Sequence, residues 1–92
     1  MHLTGEQISE IEQMAELFFS PEEIAVNIEV DPDLLSDEIY SGSGEAFQAY
    51  TRGWMKGEIP LRKSIVQAAN NGSNPAQQML LNIKHRTEIK RP

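Results

Sequence analysis

The chain has 92 residues, enough for one small domain that buries roughly 60–65% of the surface of its unfolded chain. It contains no cysteine, which excludes a disulfide framework and a thiolate zinc site. No apolar run approaches the roughly 20 residues that span a bilayer, and the N-terminus lacks the basic and apolar regions of a signal peptide. We therefore expect a cytoplasmic protein.

The net charge of −6 is unevenly distributed along the chain. Residues 1–50 contain twelve Asp and Glu and no Lys or Arg, whereas residues 51–92 contain eight Lys and Arg and two Glu, so the two parts carry −12 and +6. This asymmetry favours a charge-directed contact or a segregated function. The preference of helix N-termini for acids is the alternative explanation.

Helix-start signals recur three times before residue 41. Thr4 with Gln7, and Ser20 with Glu23, have the spacing of a capping box, and Asp31 is a third N-cap candidate. Proline follows the second and third of these caps, at the first position of each helix. We expect helices at 5–19, 21–28 and 32–40.

Residues 20–40 have the spacing of a helix-turn-helix. Ala25 lies where two such helices cross, and apolar residues occupy the usual core positions, namely Ile24, Ile28, Val30 and Leu35. Glu29 occupies the turn position that often holds glycine. The second helix would turn acidic rather than basic side chains outward, with Asp33, Ser36, Asp37, Glu38 and Tyr40 as the candidates. A packing unit without DNA in its groove is therefore favoured over direct base reading.

A flexible joint at 41–44 leads into a long helix predicted over 44–70. Its apolar side, expected to form most of the core, consists of Phe47, Tyr50, Trp54, Leu61, Ile65 and Ala68. Because Pro60 cannot donate to the carbonyl of Lys56, we expect a kink or a break within 57–60. The pair Asn71-Gly72 predicts the end of this helix, and Asn74-Pro75 predicts the start of a last helix at 75–86. Beyond Ile83 the sequence is polar and basic, and we expect it to fray into a tail.

The basic residues all follow residue 51, and they are the candidate DNA contacts. Arg52, Lys56 and Lys63 share the helix face opposite the apolar side, with Arg62 beside them. The other four, on the last helix and tail, are Lys84, Arg86, Lys90 and Arg91. A phosphate-contacting strip and a merely solvated face are both consistent with this pattern.

Nothing in the sequence indicates catalysis. The serines have no convincing His and Asp partners, no phosphate-binding glycine-rich loop precedes a helix, and His85 with Glu88 alone does not make a metal site. We therefore predict a non-enzymatic protein with no catalytic residue, no metal and no cofactor.

Three segments carry a resemblance to a known family: EEIAVNIEV at 22–30, FQAYTRG at 47–53, and LRKSIVQAANNGSNPAQQMLLN at 61–82. The chain resembles the homeodomain-like small terminase subunits of tailed phages. The resemblance implies a phage or prophage protein in a bacterial host, with a DNA-binding N-terminal module, a helical hairpin that assembles subunits into a ring, and a segment that engages the large terminase subunit. The acidic second helix and the short end after Ile83 depart from the family pattern.

The sequence thus predicts a single all-α domain, 1–92, with a helix-turn-helix-like unit at 1–40 and a helical hairpin with a basic tail at 44–92. The expected function is that of an oligomeric DNA-packaging recognition subunit whose partners are its own copies, double-stranded DNA and the large terminase subunit. The alternative is a helix-turn-helix-derived interaction module whose acidic face binds a basic partner. Because the charge asymmetry exists within one chain, we expect the acidic half of one copy to face the basic hairpin of the next.

Overall fold

The computed structural model describes residues 1–89, and the side chains of residues 1–87. It confirms an all-α fold: the described residues form five helices and no strand. The helices are α1 (Gly5–Glu16), α2 (Pro21–Ile28), α3 (Pro32–Tyr40), α4 (Glu45–Asn70) and α5 (Asn74–Ile89). They form two compact units, the first from Met1 to Glu58 and the second from Ile59 onward. The division falls inside α4, so the 41–44 joint belongs to the first unit.

The predicted caps set the starts of the three short helices. The Thr4 hydroxyl accepts from the Gln7 backbone N–H at 3.1 Å, and the Gln7 side chain accepts from the Thr4 N–H at 2.9 Å. Ser20 and Glu23 form the same reciprocal pair. The Asp31 carboxylate accepts from the two N–H groups that follow Pro32. Each cap satisfies backbone donors that have no partner inside the helix, which is why these boundaries were predictable.

The core of the first unit combines all three short helices with the first turns of α4. Its buried members are Ile11, Ile24, Ala25, Leu35, Ile39, Ala46 and Ala49. The turn between α2 and α3 has Glu29 at φ 61° and ψ 46°, the left-handed conformation that glycine would adopt without strain. Of the predicted core residues of this helix pair, Ile24 and Leu35 are buried, and Ile28 and Val30 pack partly buried against them.

Helix α1 ends at Glu16, three residues before its predicted end. Phe18 adopts φ 66°, and its N–H and that of Phe19 donate to the carbonyls of Ala15 and Met14. This is a Schellman motif in which phenylalanine occupies the position that glycine usually holds. Because no glycine or asparagine marks the site, this helix end could not be predicted from the sequence.

The prediction of which face of α4 is buried in the core is wrong. Trp54 is 37% exposed and Leu61 is 45% exposed, whereas α4 buries Ala46, Ala49 and Gly53. A Cβ atom added at Gly53 would lie 2.1 Å from the Glu12 carbonyl oxygen, which shows how closely α4 approaches α1. Small residues at four-residue intervals let the two backbones approach, and the large residues flank this contact.

Trp54 instead packs beside the end of α1. Its ring meets the Phe18 ring edge to face, with centroids 4.9 Å apart and an interplanar angle of 71°. The Tyr50 hydroxyl donates to the Phe19 carbonyl at 3.1 Å in the same region. A partly exposed aromatic pair therefore takes the place of the buried indole that we expected.

Pro60 lies in the interior of α4, which continues without a break to Asn70. The predicted break does not occur, while a kink at this point stays a prediction. The loss of one helical hydrogen bond at Pro60 is evidently tolerated within a helix of 26 residues.

The second unit is a helical hairpin formed by the end of α4 and α5. Gly72 ends α4 at φ 94°, as predicted, but Ser73 rather than Asn74 caps α5, since its hydroxyl accepts from the Ala76 N–H at 3.3 Å. The expected tail after Ile83 is also wrong, because α5 continues to Ile89. Lys84 and Arg86 are therefore helical residues; a run of polar residues without Pro or Gly does not by itself end a helix.

Candidate assembly and nucleic-acid surfaces

Two of the eight predicted DNA contacts bind a carboxylate of their own chain. Arg52 donates through Nε to Glu12 Oε1 at 2.6 Å, and Lys56 donates through Nζ to the other oxygen, Oε2. The Glu12 side chain is 20% exposed, and both cations are 54% exposed. Hydrogen bonds from Lys56 and then Arg52 lower the pKa of Glu12. Both bases therefore help to join α4 to α1.

Four of the remaining candidates lie in the described part of the second unit. Arg62 and Lys63 line an open groove along α4, together with the partly exposed Ile59 and Val66. Arg62 also lines a small pocket with Arg86 of α5, whereas Lys84 lies at a separate site beside His85. The structure thus brings Arg62 and Arg86 together but does not form one continuous strip. Lys90 and Arg91 lie outside the described residues.

The charge asymmetry follows the division into units. The first unit contains thirteen Asp and Glu and two Lys and Arg, a net charge of −11. The second contains six Lys and Arg and one Glu, a net charge of +5. The first unit is therefore strongly acidic and the second basic, and both bases of the first unit contact Glu12.

Helices α2 and α3 present an acidic surface. The Ser36 hydroxyl donates to Glu22 Oε1 at 2.8 Å and links the two helices on this side. A hydrogen bond from its own backbone N–H, and then the one from Ser36, lower the pKa of Glu22, which favours its charged form. Asp33 and Asp37 are exposed, and neither helix contains a Lys or Arg. A phosphate backbone would be repelled here, so base reading by this helix pair has no support.

Apolar side chains are exposed in both units. On α2 and α3, Val26 is 71% exposed and Tyr40 is 68% exposed. In the second unit, the buried apolar side chains among the described residues are only Ala69 and Ala76. Large residues of both hairpin helices remain on its surface, namely Ile59, Leu61, Val66, Met79 and Leu81. Such a distribution is typical of surfaces that meet a partner.

The described residues form neither a metal site nor a membrane-spanning helix. Among the side chains of residues 1–87, no three His, Asp or Glu are grouped closely enough to hold a metal ion. None of the helices described is long and apolar enough to cross a membrane. No known protein family, curated protein or solved structure matches the chain.

Sequence reasoning missed the contact that positions α4. The sequence does not single out Glu12, and Gly57 enters only through the kink or break expected within 57–60. The signal was present in the spacing of Ala49, Gly53 and Gly57, which recur every four residues and so share one helix face. Small residues repeated at that interval indicate a close helix contact as readily as a large apolar stripe indicates a core.

Proposed function

We propose that the chain is a non-enzymatic, oligomeric assembly subunit of the small-terminase type, and that its second unit supplies both the assembly surface and the contacts to double-stranded DNA. The observation that carries the proposal is the second unit itself. Its described part buries two alanines and exposes large apolar residues on both helices, and its sequence contains six of the eight basic residues. A hairpin with so little core gains stability by burying its apolar surface against a partner.

The proposed DNA contacts are the bases of α5 and the residues that follow it. Lys84 and Arg86 are exposed on a helix whose described side chains include no acid. Arg52 and Lys56 are excluded from this role because Glu12 already binds both. Contacts of this kind supply affinity without sequence preference and weaken as salt rises.

Fluorescence anisotropy with a labelled DNA duplex, measured over a series of salt concentrations, tests the DNA contacts. The double variant Lys84→Gln, Arg86→Gln should weaken binding equally for different sequences and reduce the salt slope by about one unit for each lost contact. The matched control is Arg52→Gln, Lys56→Gln, which removes the same two residue types from the first unit and should leave the salt slope unchanged. Equal effects of the two variants would contradict the assignment.

The second candidate is an interaction module whose acidic α2–α3 surface binds a basic protein. The ionised Glu22, the exposed Asp33 and Asp37, and the absence of any base on these helices favour it. The same anisotropy experiment distinguishes the candidates. A wild-type chain that binds no duplex in low salt would exclude the DNA contacts and leave the interaction module.

A further inference from the structure

One face of α4 in the second unit combines apolar and basic side chains. We name it the basic α4 face and define it by Ile59, Lys63, Val66 and Asn70. Their spacing places them on one side of a helix, and all four are exposed. Ile59, which is 47% exposed, and Lys63 lie one turn apart along the open groove. The positive charge of Lys63 lies between the apolar side chains of Ile59 and Val66.

The acidic surface of the first unit has the matching composition. We name it the acidic α2–α3 face and define it by Glu22, Val26, Asp33, Asp37 and Tyr40. Val26 follows Glu22 by one helical turn, and Asp33, Asp37 and Tyr40 share one side of α3. The hydrogen bond from Ser36 to Glu22 places these two helix sides next to each other. Exposed apolar residues again lie among charges, but the charges are negative.

We infer that the basic α4 face of one copy binds the acidic α2–α3 face of a second copy. The inference rests on the proposed function, which requires that the chain form oligomers, and it names the two surfaces that meet. Complementary charge is the reason to choose a second copy over an unrelated protein, since units of −11 and +5 occur in equal numbers in any assembly of this chain. The apolar residues supply the area, and the charges set the orientation.

This contact has consequences for symmetry and for DNA binding. Because it joins two different surfaces, it is heterologous, so each copy keeps one unused face until the assembly closes into a ring or grows as a filament. Lys63 is then covered by the neighbouring copy. The DNA contacts fall to α5, which is consistent with the role proposed for Lys84 and Arg86.

Charge reversal tests the pairing of the faces. Lys63→Glu and Asp37→Lys each place like charges across the contact, and each should raise the dissociation constant of assembly at least about tenfold. Mixed together, the two single variants place opposite charges across both contacts that join them, so the mixture should recover assembly as an alternating hetero-oligomer. The double variant Lys63→Glu, Asp37→Lys restores opposite charges and should regain assembly with itself. Sedimentation velocity measures all four species.

Controls use the same charge changes elsewhere. Lys84→Glu on α5 and Glu16→Lys at the end of α1 should leave the mass of the assembly unchanged, and circular dichroism should show native helix content for every variant. An oligomeric wild type that is indifferent to the single reversals would overturn this inference but not the proposed function. Single variants that lose assembly without recovery in the double variant would also overturn it, because the two faces would then meet different partners. A monomeric wild type would overturn both.

Discussion

Phe18 adopts a left-handed backbone conformation that is unfavourable for a bulky side chain. A bulky residue at φ 66° is strained, and the ring contact with Trp54 is what keeps phenylalanine there. Phe18→Gly and Phe18→Ala both remove the ring, but only glycine relieves the strain. We expect the glycine variant to be about 1 kcal/mol more stable than the alanine variant. Urea denaturation of both variants measures the difference, and an equally stable or more stable alanine variant would contradict the left-handed conformation.

Glu12 makes the stability of the first unit depend on pH. Its pKa is lowered in the folded chain, so its contribution is fully present above its ordinary value of 4.5 and is lost as the pH falls through the lowered value. Glu12→Gln keeps the shape and removes the charge. We expect it to cost about 0.5–2 kcal/mol at pH 7, and this cost should shrink towards zero as the pH approaches about 2. Denaturation of wild type and variant at several pH values measures it; a cost that does not change with pH would mean that the ion pairs contribute nothing.

The crossing of α1 and α4 depends on glycine. Gly53→Ala would gain roughly 1 kcal/mol of helix propensity, but its Cβ would lie 2.1 Å from the Glu12 carbonyl oxygen, so the helices would have to separate. We expect a net loss of about 2 kcal/mol or more. The matched control is Gly5→Ala, because a Cβ at Gly5 meets nothing within 4 Å. Thermal denaturation compares the two variants, and a stabilised Gly53→Ala chain would show that α1 and α4 do not approach this closely.

The elements that the sequence predicts well are those decided by local chemistry. Caps at Thr4, Ser20 and Asp31 act within three residues, and so the starts of α1, α2 and α3 were readable. The core of α2 and α3 was also readable, because branched residues recur at helical spacing. The end of α1 at Phe18 and the buried side of α4 depend on contacts between distant segments. The Gly53 contact, for example, joins residues 41 positions apart in the chain, and local pattern does not encode it.

The candidate site was predictable in part for the same reason. The distribution of charged residues along the sequence shows an acidic and a basic part, which correspond to the two units. It could not reveal that Glu12 would bind both Arg52 and Lys56, since that pairing follows from how α1 crosses α4. Trp54 illustrates the converse: its size suggested a core residue, but it lies at a rim. We now expect Trp54→Ala to cost about 1–2 kcal/mol in urea denaturation rather than the 3–5 kcal/mol of a fully buried aromatic.

At the scale of the whole molecule, the proposed function requires that the chain assemble with copies of itself. The described part of the second unit exposes large apolar residues, and in the proposed oligomer its positive charge would face the negative first unit of another copy. Exposed charge pairs contribute roughly 0–1 kcal/mol each, so apolar contacts must supply most of the affinity while charge selects the partner. Raising the salt concentration shortens the range of the charge interactions and should weaken assembly without abolishing the fold.

The mass of the wild-type chain in solution tests this claim most directly. Light scattering coupled to size exclusion, at tens of micromolar chain and at about 0.05 M and about 0.5 M salt, covers both sides of the change in screening. We expect an oligomer in low salt that loses mass in high salt. A monomer in low salt, or a dimer indifferent to salt, would contradict it.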